Sequence, residues 1–246
     1  AIFSLENGQF AEAETYYQRV LPLYEARLGL EDSTTQACMG QMATVYLHQE
    51  KPAEAEAILR RQATAREQTA GEADPTAVEI WQKIALTDLA QEKWEQAAEV
   101  YQHLLAIYER MSGSDRPETV QHLDLLAFTY MQQNRFEQAN EVLQRALEIR
   151  ERSLGTGHPD VAASLIKLAE LTLAQKQPDM AESLLQRAMS IYMRSQMSDP
   201  LALSVIFDSL ALASLERGLS EQAEAFAETA SSLRSIGAPA NGIGNE

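Results

Sequence analysis

The chain has 246 residues, of which 45% are hydrophobic and 23% are charged, so it is long enough to bury a continuous core. Its formal net charge of −16 argues against nucleic acids and anionic membrane surfaces as ligands, because both attract clustered Lys and Arg. The single cysteine, Cys38, excludes an internal disulfide and a cysteine-rich metal cage, and no apolar run reaches the length of a transmembrane helix.

Three sets of residues recur with a period of 42 along almost the entire chain. The first set is an alanine column, the second a pair that ends in alanine, and the third a glycine column. The columns are Ala13, Ala55, Ala97, Ala139, Ala181 and Ala223; Ala43, Ala85, Ala127, Ala169 and Ala211; and Gly29, Gly71, Gly113 and Gly155. A shared register of this kind predicts stacked copies of one structural unit.

Within each period the apolar residues lie three and four positions apart, as Leu165, Leu168 and Ala169 do, which predicts helices and no strands. In chain order we expect helices near residues 9–28, 34–49, 52–69, 76–91, 94–111, 118–133, 136–153, 160–175, 178–195, 201–217 and 220–235. The alanine column is expected where helices cross closely, because larger side chains would separate their axes.

The segment LGTGHPDVAASL, residues 154–165, contains the glycines of a phosphate loop and a His/Asp pair, but its column positions indicate a turn between repeats. Gly155 is expected to end a helix in a left-handed conformation. Pro159 shares its column with Ser33, Pro75 and Pro117 at the first turn of the next helix. The equivalents of His158 are Asp32, Asp74 and Arg116, so no repeated chemistry is expected there.

These paired helices, with phrases such as ALEIRERSLGTGHPDVAASLIKLAEL, resemble the tetratricopeptide repeat in the 42-residue variant of kinesin light chains and many bacterial proteins. The resemblance covers about residues 5–235. It implies an all-α, right-handed α–α superhelix of about five and a half helix pairs that acts as a scaffold. In kinesin light chains the first helix of each pair carries a motif similar to SLNNLA. The equivalent segments of this chain are MGQMA, WQKIA, LDLLA, LIKLA and FDSLA, which contain no asparagine. The cargo specificity of kinesin light chains is therefore not transferred to this chain.

The resemblance also implies a concave groove lined by the first helix of each pair. The predicted partner-binding residues are Glu79, Gln82, Leu86, Gln121, Asp124, Phe128, Ile166, Glu170, Asp208 and Leu212, in columns that also contain Ala37, Gly40, Thr44, Ala163 and Val205. These positions hold acids and apolar residues but no Lys or Arg, unlike the cationic clamp that co-chaperone members use for a terminal carboxylate. We therefore expect a protein or peptide partner with basic and apolar side chains.

The apolar groove positions Leu86, Phe128, Ile166 and Leu212 have two interpretations. They either form a stripe that contacts a partner or pack against neighbouring helices inside the superhelix. Phe128 is the position where we expect an anchor, because an aromatic side chain in a groove is typical of one.

The remaining polar residues predict no catalysis, metal or cofactor. The four histidines, His48, His103, His122 and His158, lack the spacing of metal ligands, and no serine has a neighbouring His/Asp pair. Acid pairs such as Glu54 and Glu56 are expected to complement helix N-termini, and arginines such as Arg61 and Arg150 to complement C-termini.

Both ends of the chain carry expectations. Residues 1–5 are expected to be the last turn of an incomplete helix, which leaves the apolar face of the next helix, with Tyr16, Tyr17 and Leu21, without a complete partner. Upstream sequence or a second copy of the chain would cover this edge. We expect one solenoid over residues 1–236 and a disordered tail over 237–246, which has too few large apolar residues to pack.

The sequence therefore predicts a non-catalytic interaction scaffold with a cytoplasmic location. The alternative is a structural or assembly module, either through homo-oligomerisation at the N-terminal edge or as the regulatory arm of a larger protein.

Overall fold

The protein is built from helices joined by short turns. A computed structural model describes residues 9–113, 117–195 and 199–237, and in these ranges it contains eleven helices and no strand. The helices are α1 (Phe10–Leu28), α2 (Ser33–His48), α3 (Pro52–Ala70), α4 (Pro75–Ala90), α5 (Trp94–Ser112), α6 (Pro117–Gln132), α7 (Phe136–Leu154), α8 (Pro159–Ala174), α9 (Pro178–Arg194), α10 (Pro200–Glu216) and α11 (Ser220–Gly237). All predicted helices are confirmed, with bounds that agree to about two residues.

Four first helices of the pairs, α2, α4, α8 and α10, begin at side chains that cap them. Asp32 Oδ1 accepts the Thr34 N–H at 2.8 Å, and Asp74 Oδ1 accepts the Ala77 N–H at 3.0 Å. His158 has the same role in α8, since its Nδ1 accepts the Asp160 N–H at 3.1 Å. The expectation that nothing recurs at the His158 column is therefore wrong, because different side chains there cap the same helix end.

The predicted glycine stops are confirmed. Gly29, Gly71, Gly113 and Gly155 have φ between +85° and +91°, and each donates its N–H to the carbonyl of a glutamate four residues earlier. A second column with positive φ was not predicted, because its residues are chemically diverse. It contains Glu50, Glu92, Asn134, Lys176 and Gly218 in the turns that follow the first helices.

The alanine column lies in the core. Ala13, Ala55, Ala97, Ala139 and Ala181 have no exposed surface, and Ala223 is buried as well. Fully buried leucines such as Leu104, Leu143 and Leu185 fill the space beside them. Small and large residues thus alternate along the buried faces, as close packing of helices requires.

The chain divides into two compact units, residues 1–133 and 134–246. In the described part of the N-terminal unit, each of the helices α1 to α6 packs against the next one in sequence. Helices α7 to α11 do the same in the C-terminal unit, where α8 also contacts α10. One solenoid over residues 1–236 stays a prediction, and residues 1–5 and the tail beyond Gly237 lie outside the described residues.

The face of α1 is more completely buried than the sequence predicts. Tyr17 and Leu21 are buried, and the Tyr17 hydroxyl donates a hydrogen bond to the Gln41 side chain of α2. Tyr16 and Leu23, by contrast, are exposed. The unpartnered part of this edge is therefore a narrower strip than expected, because α2 covers one side of the helix.

Many charged residues connect successive repeats. Arg61 pairs with Glu25 at 2.8 Å and Arg187 pairs with Glu151, and in the same two columns His103 Nε2 lies 2.7 Å from Glu67 Oε1. The interpretation of Arg61 as only a partner of the helix dipole is therefore incomplete. Such exposed pairs are worth at most about 1 kcal/mol each, so they set register more than stability.

Candidate functional site

The predicted groove positions of the N-terminal unit lie on the exposed side of α4 and α6. Leu86 is 57% exposed and Phe128 is 45% exposed, so both side chains are accessible to a partner. Glu79 and Gln121 are also exposed, whereas Gln82 and Asp124 are half-buried. Leu86 and Phe128 occupy the same position in consecutive first helices.

The groove columns differ in depth in a regular way. The column of Thr44, Leu86, Phe128, Glu170 and Leu212 is exposed at every position. The column of Gly40, Gln82, Asp124 and Asp208 is half-buried, and its remaining member, Ile166, is buried with 8% exposure. Of the two interpretations, Leu86, Phe128 and Leu212 are available to a partner, whereas Ile166 is a core residue.

Phe128 rests on an aromatic neighbour that the sequence interpretation missed. The Trp94 ring at the start of α5 meets the Phe128 ring edge to face, with 5.7 Å between the centroids. This contact restricts the Phe128 side chain while leaving part of it exposed. A restrained aromatic ring loses less side-chain entropy on binding than a mobile one.

A pocket of about 210 Å³ lies between α4 and α6 beside these residues. Its lining includes Gln82, Leu86 and Gln121 from the predicted groove, and also Tyr101, His122 and Leu125. This volume corresponds to roughly seven water molecules in the liquid. The pocket therefore combines an apolar rim with polar groups.

Hydrogen bonds and ring contacts hold the polar groups of this pocket. Gln82 Nε2 donates to the Tyr108 hydroxyl at 3.1 Å and lies 3.4 Å from His122 Nε2. The His122 and Tyr108 rings pack 4.7 Å apart. Burial, with a smaller effect of Asp88, raises the pKa of Tyr101 to about 12, so its hydroxyl stays protonated as a donor.

In the C-terminal unit the predicted acids differ in their surroundings. Glu170 is exposed on α8, although nearby protein desolvates the carboxylate and raises its pKa, with Lys167 lowering it. Asp208 on α10 forms an ion pair with Arg234 of α11. On the same side of α10, Leu201, Val205 and Leu212 are exposed, which gives this unit an apolar stripe of its own.

Other chemical groups in the described residues serve packing. His48 stacks on Phe10 with 4.7 Å between the ring centroids, and Cys38 is a buried free thiol whose pKa is raised by desolvation. Among the described residues no group of three or more His, Cys, Asp or Glu side chains could hold a metal ion. None of the described helices combines the length and apolarity needed to span a membrane.

Comparison with solved structures supports the helix-pair architecture. The protein BtubC (BKLC) from P. vanneervenii is 22% identical with a TM-score of 0.66, over 98% of this chain and 96% of that one. A kinesin light chain-like protein of Podosopora anserina with nearly identical TPR-like repeats is 21% identical with a TM-score of 0.66, over 84% and 98%. MamA from Desulfovibrio magneticus RS-1 is 13% identical with a TM-score of 0.57, over 82% and 96%.

At these identities the solved structures establish the fold alone. No curated protein sequence matches the chain. The family model of the tetratricopeptide repeat matches residues 1–68, 76–152 and 118–194, which together span most of the sequence. The chain therefore belongs to the tetratricopeptide repeat family.

Proposed function

We propose that the protein is a non-catalytic scaffold that binds a segment of a partner protein on the exposed side of its first helices. The observation that carries the proposal is the pair Leu86 and Phe128, two large apolar side chains exposed at equivalent positions of consecutive first helices, of which Leu86 lines a pocket. Exposed apolar groups around a concavity are typical of interaction surfaces. Tetratricopeptide repeats are in general such scaffolds.

The partner segment places an apolar side chain against Leu86 and Phe128. Another side chain of the segment enters the pocket, whose lining includes Tyr101. In the N-terminal unit, basic side chains of the partner approach the exposed carboxylate of Glu79, and in the C-terminal unit the exposed Glu170 offers a carboxylate of its own. At Asp208 a partner cation competes with Arg234, so that position contributes less affinity than an exposed carboxylate would. A cytoplasmic location is part of the same proposal and is checked by cell fractionation.

The experiment begins with a partner captured by affinity purification and identified by mass spectrometry. Binding of its shortest active segment is then measured for Leu86→Ala and Phe128→Ala. Each variant is expected to weaken binding about tenfold or more, the usual loss when an anchor in an interface is truncated.

Met111→Ala is the matched control, because Met111 is an exposed large apolar residue of the same unit that does not line the pocket. It should retain the affinity of the unmodified protein. Wild-type affinity in both Leu86→Ala and Phe128→Ala would contradict the proposal, provided that their thermal midpoints are unchanged.

Assembly through α1 is the second candidate, and one observation favours it. A cleft of about 540 Å³ runs along α1, lined by Tyr16, Val20 and Leu23 among others, and Tyr16 and Leu23 are exposed. A second copy of the chain would bury this apolar strip. Light scattering over a range of concentrations tests this: a dimer that Leu23→Asp dissociates supports assembly, whereas a monomer at every concentration contradicts it.

A further inference from the structure

A second concavity in the N-terminal unit differs from the apolar pocket in its chemistry. It lies between α2, α3 and α4, has a volume of about 500 Å³, and has polar side chains at most of its surface. Gln36, Gln62, Arg66 and Lys83 all contribute to its lining. Of the groove positions considered from the sequence, Ala37, Gly40 and Thr44 contribute to its lining.

Two buried glutamines at this pocket occupy positions that are not glutamine in other repeats. Gln36 shares its column with Val78, Val120, Ala162 and the small polar Ser204. The equivalents of Gln62 are Val20, Leu104, Ala146 and Ala188. Because no other repeat has glutamine at either column, the repeat architecture by itself does not require glutamine there.

The glutamines are incompletely hydrogen-bonded. Gln36 is 6% exposed and Gln62 is 8% exposed. Gln36 Nε2 donates to the Leu30 carbonyl at 2.7 Å, and Gln62 Nε2 donates to the Gln36 carbonyl at 2.9 Å. Neither side-chain oxygen has a hydrogen-bond partner in the described structure. A buried acceptor without a donor is unfavourable, so a group that supplies donors would stabilise this arrangement.

Glycine keeps the route to Gln62 open. A Cβ atom at Gly40 would lie 3.5 Å from Gln62 Nε2 and 3.8 Å from Oε1, at the contact distance of ordinary packing. Each of the other residues of this column, Gln82, Asp124, Ile166 and Asp208, carries a side chain that would stand over the amide. With glycine at residue 40, no side chain from this position packs on the Gln62 amide.

The charges at the pocket are close to balance. Arg66 donates to both carboxylate oxygens of Asp74, at 3.2 and 3.1 Å, which neutralises its charge locally. Lys83 is exposed at the rim, one helical turn after the exposed Glu79. The pocket therefore offers acceptors from the two glutamines and a donor from Lys83 without a strong excess of positive charge. A carboxylate would bring no donor for the glutamine oxygens.

We propose that this pocket is a subsite that binds a side-chain carboxamide, from Asn or Gln, of the partner segment. The amide N–H groups donate to Gln36 Oε1 and Gln62 Oε1, and the amide oxygen accepts from Lys83 Nζ. The inference rests on the proposed function, because it assigns the subsite to the same bound segment. It also adds a specificity that acidic and apolar groove residues do not provide.

The test uses three probes with identical backbones: the N-acetyl N-methylamides of glutamine, glutamate and methionine. Each is titrated into the ¹⁵N-labelled full chain, and the side-chain NH₂ resonances of Gln36 and Gln62 are followed. The glutamine probe should shift both resonances to saturation. The other two should bind about tenfold more weakly, since a site built for hydrogen bonds discriminates against a group that lacks them.

Three variants separate binding from folding. Gln62→Leu and Gln36→Val install the residues of other repeats, and each should raise Tm by about 2–4 °C while abolishing the response to the glutamine probe. Gly40→Ala keeps both glutamines and the helix, and it should weaken binding of the glutamine probe because the added methyl group narrows the pocket. Gln186→Leu, an exposed glutamine of α9, is the control that should change neither property.

Several outcomes would overturn the inference. Equal binding of all three probes would assign the pocket to backbone amides, and tightest binding of the glutamate probe would make it an anion site. A lower Tm in Gln62→Leu and Gln36→Val would show that the glutamines are structural. If the glutamine probe causes no shift of the Gln36 and Gln62 resonances while Phe128→Ala still weakens partner binding, the subsite is rejected and the proposed function is retained.

Discussion

Glu92 illustrates how a single residue can adopt a conformation that its type does not favour. It has φ of +56° in the turn between α4 and α5, where Gly218 stands in the last repeat. A left-handed conformation costs a non-glycine residue about 1–2 kcal/mol, whereas glycine adopts it freely. The strain is tolerated because the neighbouring N–H of Lys93 donates to the Asp88 carbonyl and fixes the turn.

Glu92→Gly is expected to raise the free energy of unfolding by about 0.5–1 kcal/mol, since relief of strain exceeds the extra entropy of glycine in the unfolded chain. Urea denaturation measures the change. Glu99→Gly, at an exposed position inside α5, is the matched control, and it should lower the free energy of unfolding by about 1 kcal/mol. A loss of stability in both variants would show that the turn does not strain Glu92.

His158 is a second residue whose role follows from its position. It caps α8 at the place where Asp32 and Asp74 cap α2 and α4. His158→Ala should therefore lower the free energy of unfolding by about 0.5–2 kcal/mol, and His158→Asp should retain the stability of the unmodified protein. Thermal melts of both variants check this. Equal losses in the two would mean that the imidazole has another function.

At the scale of elements, α3 and α4 are joined by an ionic pair where other repeats use a neutral one. Gln18 donates to the Tyr46 hydroxyl at 3.4 Å, and Gln102 donates to Tyr130 in the same way. At the equivalent positions Arg60 Nη2 donates to Asp88 Oδ2 at 3.3 Å. Asp88 has no exposed surface, and burial together with the neighbouring Glu56 raises its pKa to about 7.

The raised pKa of Asp88 predicts how the stability of the protein changes with pH. Because Asp88 binds its proton more tightly in the folded state, its contribution to stability is fully present below about pH 4 and is lost as the pH rises through about 7. Asp88→Asn should therefore gain stability relative to the unmodified protein as the pH increases from 5 to 8. Urea unfolding across this range measures the difference, and parallel profiles would contradict the shift.

The pair can also be exchanged for its neutral counterpart. Arg60→Gln and Asp88→Tyr should each destabilise, because either one leaves a polar group without its partner. The double variant restores the arrangement of Gln18 and Tyr46 and should recover at least about 1 kcal/mol of the summed loss. Additive losses would show that the local packing around α3 and α4, and not the pair, decides this position.

At the scale of the whole molecule, the charge of −16 acts on encounters with partners. A segment with basic side chains is attracted over the distance at which salt leaves charges unscreened. Raising NaCl from about 0.1 M to about 1 M shortens the screening length from about 10 Å to about 3 Å. The association rate constant of the captured partner should fall with salt while its dissociation changes little. A rate constant independent of salt would exclude steering by the acidic surface.

The sequence by itself determined the repeat register, all eleven described helices and the glycine stops. These features depend on local spacing and recur in four to six copies along the chain, so each copy supports the interpretation of the others. Ala139 is identified as a core residue by five counterparts, without any knowledge of its neighbours. Even the cap at His158 could have been found by asking which side chains accept a backbone N–H.

Only the tertiary structure decided which groove residues are exposed. Ile166 and Leu212 are chemically alike and both belong to groove columns, but one is buried by neighbouring helices and the other is not. The pairing of Asp208 with Arg234 lies in the same two columns as the hydrogen bond between Gln82 and Tyr108, but only the structure shows that these columns meet. The polar pocket around Gln36 and Gln62 arises from three helices together. A repeat period specifies what all copies share, whereas a binding surface consists of the positions at which they differ.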